Sequence, residues 1–368
     1  MIWLSVVAFL VAALAAGGVV RWLSAQASVY GNGMPQRFHW GDIPRLGGLA
    51  ILLGMACSWA LGVVESQWGS DPGSLRLGGW VGSWFLVLLP TAVGGMIEDV
   101  TQRLAVRYRL ALTCISGILA VTLLDMTVPR LGVPWLDALL VVAPWLGAGI
   151  VLLAVAGLPH AFNIIDGYNG LAGMVAIIVC LALAHVALQV GDRALAALLV
   201  TTAAATGGFL VWNYPRGVLF AGDGGAYIWG TMIALASISI VQRNAEVSPW
   251  FPVLLLIYPV WETLFSIYRK WARGVSPGMA DALHFHQLIY RRIVRTVFAG
   301  DDTARHMLMR NNRTSPYLWA FTLLTVVPAV LFWRNTMLLM AFCALFGLSY
   351  VVAYLAIVRF KVPSWLKH

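Results

Sequence analysis

The chain has 368 residues, 60% of them hydrophobic and 11% charged, with a formal net charge of +9. A mean hydropathy of +0.82 and apolar runs near 20 residues long exclude a soluble domain and point to an all-α, polytopic membrane protein. Basic residues flanking the spans account for the positive charge, so no nucleic-acid partner is called for.

Eleven apolar runs follow in order, at about 2–20, 47–64, 80–97, 108–124, 136–156, 170–190, 194–212, 226–241, 251–268, 316–332 and 337–358. No linker separates two compositions, so residues 1–368 read as one integral domain, with a long inner loop at 268–315. The first run has no basic segment before it and no small-residue cleavage site, and is expected to be a retained span. Cys57, Cys114, Cys180 and Cys343 lie in apolar runs without paired spacing and read as core thiols. Placing the segment after the first span in the cytoplasm puts 19 of the Lys and Arg residues inside and 5 outside. The outer loops are mostly short, while the polar clusters at 35–48, 98–109, 160–169, 213–225 and 262–286 all fall on the inner side. One face of the bundle is expected to carry the chemistry.

The first cluster, MPQRFHWGDIPRLGG, holds Arg37, His39 and Arg45 beside a turn set by Pro44, Gly47 and Gly48. The second, GGMIEDVTQRLAVRYRL, places Glu98 and Asp99 at the end of the third run, followed by Arg103, Arg107 and Arg109. Adjacent carboxylates repel unless a cation sits between them, as in a metal site. The third, GLPHAFNIIDGYNGLAG, holds Asn163, Asp166 and Asn169; an acid this close to lipid is expensive, about 2.5–3.5 kcal/mol at a helix centre. If helical, Asp166 and Asn169 share a face, suited to a nucleobase, a ribose or a metal's outer shell. In the fourth, NYPRGVLFAGDGGA, Asp223 lies among glycines that would leave backbone N–H groups open to a phosphate at a helix start. The fifth runs from Glu262 through Arg269, Lys270 and Arg273 to Asp281, His284 and His286. Two His and an Asp without a fourth ligand do not make a zinc site, and roles towards phosphate fit better. Arg291, Arg292 and Arg295 then lie on an amphipathic stretch facing headgroups. Each cluster taken alone also reads as ordinary span-end chemistry, a capping Asp or a positive-inside loop.

Together, the five segments resemble the bacterial polyprenyl-phosphate N-acetylhexosamine-1-phosphate transferases, the superfamily of MraY, WecA and TagO, over residues 34 to 292. PRLGG resembles the family's PRxGG turn, and IEDVTQRLAVRYRL its acidic pair and following basic segment. NIIDGYNGLAG is similar to NxxDGxDGLAxG, NYPRGVLFAGDGGA to NxxPAxxFxGDxGS, and the stretch ending ADALHFH to a segment closing in HxH. Glu98, Asn169 and Glu262 stand where the family usually has Asp, and the WecA-like branch is the better match. The resemblance implies a bacterial inner-membrane enzyme, with its active loops cytoplasmic, that moves a sugar-1-phosphate from a UDP-sugar to undecaprenyl phosphate. UMP leaves, and the product starts an envelope polysaccharide such as O-antigen. It implies Mg²⁺, with Mn²⁺ as a substitute, held by Asp223 and Asp166, and catalytic roles for Glu98, Asp99, Asp166 and Asp223. Asn163, Asn169, Asn213, Arg45, Arg107, Arg109, Arg269, His284 and His286 are expected to bind substrate. A homodimer is left open. On this reading Asp166→Asn should nearly abolish activity and Asn169→Asp should change it only modestly. The alternative, a secondary transporter, would need its acids near the bilayer midplane and often an internal repeat.

Overall fold

In lipid, a run of about twenty apolar residues can satisfy its own backbone only as a helix. The computed structural model describes residues 1–23, 43–68, 75, 77–274, 283–298 and 303–359, which contain helices and no strand. Arg37, His39 and Asp281 lie outside the described residues. The order is α1 (Ile2–Leu23), α2 (Gly47–Trp68), α3 (Trp80–Thr101), α4 (Val106–Leu123), α5 (Pro134–Val142), α6 (Trp145–Ile165), α7 (Leu171–Gln189) and α8 (Arg193–Asn213). Then follow α9 (Gly222–Arg243), α10 (Trp250–Leu255), α11 (Ile257–Ala272), α12 (Phe285–Leu288), a π-helical stretch (Ile289–Val294), α13 (Arg295–Val297), α14 (Ala304–Leu331) and α15 (Thr336–Arg359).

Among the described residues ten helices are long and apolar enough to cross a membrane, one fewer than the eleven runs. The difference is the ninth run, which breaks at Leu256 into α10 and α11. Pro259 explains it: a proline has no N–H to donate and its ring clashes with the carbonyl four residues back, at Leu255, where α10 stops. The fifth run is also re-divided. Ala143, ahead of Pro144, is held out of the helical region, so a short α5 ends there and α6 runs on to Ile165. Asn163 therefore lies in the last turn of α6, with Asp166 just beyond its end.

The bundle is built around α9, which is enclosed along its whole apolar length. Helices α3 and α6 pack directly on it and α2 closes a third side, while α1, α7 and α8 form a neighbouring layer. Glycines permit the closest approaches. A Cβ on Gly48 of α2 would strike the backbone of Gly225, and one on Gly95 of α3 the backbone of Asp223 and Gly224. A Cβ on Gly230 of α9 would strike the backbone of Pro159 on α6. These contacts bring one end each of α2, α3, α6 and α9 together around Asp223.

Candidate active site

Asp223, in the first turn of α9, is 5% exposed and stands between two arginines. Arg109 Nη1, from the first turn of α4, lies 2.6 Å from its Oδ2, and Arg45 Nη2 lies 3.8 Å from its Oδ1. Arg45 is placed by backbone pairing between distant segments: Phe220 N–H donates to the Pro44 carbonyl, and Gly47 and Gly48 N–H donate to Phe220 and Ala221. The PRLGG turn and the approach to α9 are thus one structural unit.

Asp99 has a different place from the one its sequence implies. Its Oδ1 accepts from Asp223 N–H and its Oδ2 from Gly224 N–H, each at 2.8 Å, with Arg45 Nε at 3.9 Å. A carboxylate here satisfies the orphan donors at the start of α9 and complements its dipole. The Asp223 and Gly224 N–H groups are therefore occupied by Asp99 and not open to a phosphate, which corrects the expectation for GDGG at these two positions. The glycines serve close packing. Glu98 points elsewhere, accepting from Leu104 N–H at 2.8 Å and so fixing the short connection to α4. The side chains of the two adjacent acids diverge to different partners.

Asp166 follows the last turn of α6, and it does not share a helix face with Asn169, because residues 166–170 form a turn. The residue keeps part of its surface exposed, yet the density of protein around its carboxyl pushes it up to about 7; nearby Asp223 acts in the same direction and Arg45 opposes. Asn163, one turn earlier, lies within hydrogen-bond reach of the Tyr227 hydroxyl, which also meets Arg109.

Two residues of this cluster were not anticipated. His160 of α6 places Nδ1 3.3 Å from the Tyr227 hydroxyl and Nε2 3.4 Å from Thr113 Oγ1, and its ring meets Tyr227 edge-on. His160 opens the polar cluster at 160–169, which was the available signal for it; Tyr227 gave none.

His284 and His286 stack at 5.4 Å between centroids and each sets Nδ1 3.5 Å from Glu262 Oε1. Glu262, 1% exposed, also accepts from Phe285 N–H at 2.6 Å and from the Tyr350 hydroxyl at 2.9 Å. His286 reaches the Asp166 turn, where a Cβ on Gly167 would come 3.1 Å from its Nε2, and Tyr168 lies edge-on to its ring.

Four expected substrate residues stand apart from Asp223. Asn213 accepts from Gly170 N–H at 2.6 Å and donates to the Leu219 carbonyl at 2.8 Å, bracing the turn. Asn169 is held by α14. Arg269 is buried against the Tyr354 hydroxyl and Ser266. Arg107 is exposed and lies over its neighbour Tyr108.

Among the described residues no group of three or more His, Cys, Asp or Glu forms a metal cage. Mg²⁺ seldom uses one; it takes one or two carboxylates and completes its shell with phosphate oxygens and water. Asp223 and Asp166, with the Asn163 amide near, are a donor set of that kind.

A helical membrane protein that brings Asp99, Asp166 and Asp223 together with Arg45 and Arg109 at one end of the bundle has the build of a membrane-embedded enzyme acting at the lipid–water boundary. Glycosyl transferase family 4 matches residues 81–241. The chain is 25% identical to the Bacillus subtilis protein named "Probable undecaprenyl-phosphate N-acetylglucosaminyl 1-phosphate transferase", covering 76% of each. It is 25% identical to the undecaprenyl-phosphate alpha-N-acetylglucosaminyl 1-phosphate transferase of Thermotoga maritima, over 57% of this chain and 62% of that one. Identity to the decaprenyl-phosphate N-acetylglucosaminephosphotransferase of Mycolicibacterium smegmatis is 27%, over 77% and 75%. Over these stretches the chain is similar to proteins named as polyprenyl-phosphate sugar-1-phosphate transferases.

Proposed function

We propose that the protein transfers N-acetylhexosamine-1-phosphate, with N-acetylglucosamine as the favoured sugar, from its UDP-sugar to undecaprenyl phosphate, as a WecA-like enzyme at the cytoplasmic face of a bacterial inner membrane. A phosphate oxygen of the lipid forms a bond to the β-phosphorus, the bond from that phosphorus to the bridging oxygen breaks, and UMP leaves. The observation that carries this reading is Asp223, buried within electrostatic reach of Asp166 and flanked by Arg45 and Arg109 where distant segments converge.

Bound Mg²⁺ would neutralise the diphosphate and polarise its phosphoryl oxygens. Asp223 and Asp166 would hold it, and Arg45 and Arg109 would balance the charge left on the carboxylates and phosphates. Asp99 holds the start of α9, and with it Asp223, in register. The paired imidazoles of His284 and His286, oriented by Glu262, can donate towards phosphate next to the Asp166 turn. Positioning and charge neutralisation are most of what such a reaction needs. The transporter alternative has no support, because Asp99, Asp166 and Asp223 lie at helix ends and the relatives are named as transferases. The test is UMP release by purified protein given undecaprenyl phosphate, Mg²⁺ and a panel of UDP-sugars, and silence with every UDP-sugar rejects the assignment.

A further inference from the structure

The turn that carries Asp166 is held by a helix far away in sequence. Asn169, 3% exposed, is bonded through its backbone and side chain to the inner half of α14. Asn311 Oδ1 accepts from Asn169 N–H at 2.8 Å, Asn312 Oδ1 accepts from the Asn169 side-chain amide at 2.9 Å, and Ser315 Oγ donates to the Asn169 carbonyl at 2.6 Å. Beside them Trp319 Nε1 donates to the Gly170 carbonyl at 3.1 Å. All four α14 residues lie beyond the 81–241 family match.

The bonding sets a requirement on residue 169. Asn312 Nδ2 donates to the Pro215 carbonyl at 2.7 Å, and a carbonyl only accepts. That bond fixes which way the Asn312 amide faces and leaves its Oδ1 towards Asn169. An oxygen there can only accept, so residue 169 must supply a donor, and the Asn169 amide does. Aspartate, which the family motif usually has at this position, would set two acceptors against each other in a buried place. Gly217 blocks an escape: a Cβ there would already come within 2.6 Å of Asn169 Nδ2.

We propose that Asn311, Asn312 and Ser315 are positioning residues for the Asp166 turn, and that residue 169 is asparagine because Asn312 demands a donor from it. The modest effect expected of Asn169→Asp from sequence is thereby replaced by a severe one. The activity arm of the inference rests on the transferase assignment; the pairing itself does not.

A double-mutant cycle of Asn169→Asp and Asn312→Lys separates the two. Lysine at 312 offers donors to both the Pro215 carbonyl and a carboxylate at 169, while Asn169 can turn its own oxygen to meet it. Asn169→Asp should lower kcat/KM for the UDP-sugar about tenfold or more, lower the melting temperature in detergent, and leave KM for undecaprenyl phosphate unchanged. Asn169→Asp with Asn312→Lys should recover most of both losses. If Asn169→Asp gives no folded protein, restored folded yield in the double variant supports the pairing, and no restoration overturns it. The proposal also fails if Asn169→Asp matches wild type in rate and melting temperature, or if the double variant is no better than the single. Should wild type release no UMP, the transferase assignment falls, and the melting temperatures of the cycle decide the pairing alone.

Discussion

At the scale of single residues, the buried carboxylates have distinct partners. Asp223→Asn keeps the size and removes the charge that Arg45 and Arg109 face, so turnover should fall about 100-fold or more with protein still inserted in the membrane. Asp166→Asn should act in the same way, and UMP release in one membrane preparation measures both. Glu262 makes a different prediction. Its two oxygens serve Phe285 N–H and the Tyr350 hydroxyl, so Glu262→Ala strands buried donors and should cost about 1–3 kcal/mol of stability. Glu262→Gln should cost less, because the Tyr350 hydroxyl can turn to accept from the new amide. Thermal denaturation in detergent compares the two, and equal losses would contradict this account of Glu262. The acids themselves were legible in the sequence from their positions at span ends. Their division of labour was not. Asp99 and Glu98 are neighbours in the chain, yet one binds the start of α9 and the other a loop to α4, and only the packing of α3 on α9 decides that.

Among the elements, α9 depends on glycines where other helices cross it. Gly95→Ala and Gly230→Ala would push a methyl into the backbone of α9 or α6, and each should destabilise the protein by about 1–3 kcal/mol through overpacking. Gly149 of α6, with open space around it, is the control, and Gly149→Ala should be neutral or mildly stabilising. Unchanged melting temperatures for the first two would contradict the close approach. Most helices could be read from hydropathy, because the bilayer leaves an apolar run few alternatives. The misses have physical causes. Hydropathy runs smoothly through Pro259, so the break at Leu256 is invisible to it although the proline states the reason. The inner end of α14 reads as a basic loop, since Asn311, Asn312 and Ser315 are ordinary polar residues until Asn169, 142 to 146 positions away, docks on them.

For the whole molecule, the convergence of the inner ends of α2, α3, α4, α6 and α9 on one site requires that these ends lie on one side of the membrane. In a variant freed of its four cysteines, Ala245→Cys on an exposed turn at the opposite end should react with an impermeant maleimide applied to intact spheroplasts. Exposed Arg216→Cys, beside the site, should react only after permeabilisation. The reverse pattern would invert the orientation proposed from the Lys and Arg distribution. The order of the motifs made a shared face legible, because alternate loops carried them. What the sequence withheld was how the face is assembled, with backbone pairing of residues 44–48 to 220–221 and a clasp from α14.

The transfer itself is tested most directly with purified wild-type protein in nanodiscs given undecaprenyl phosphate, UDP-N-acetylglucosamine and Mg²⁺. UMP should appear together with the lipid-linked sugar diphosphate, should require the lipid phosphate and the divalent cation, and should be lost in Asp223→Asn. UMP release that is indifferent to undecaprenyl phosphate, or no release with any UDP-sugar, would contradict it.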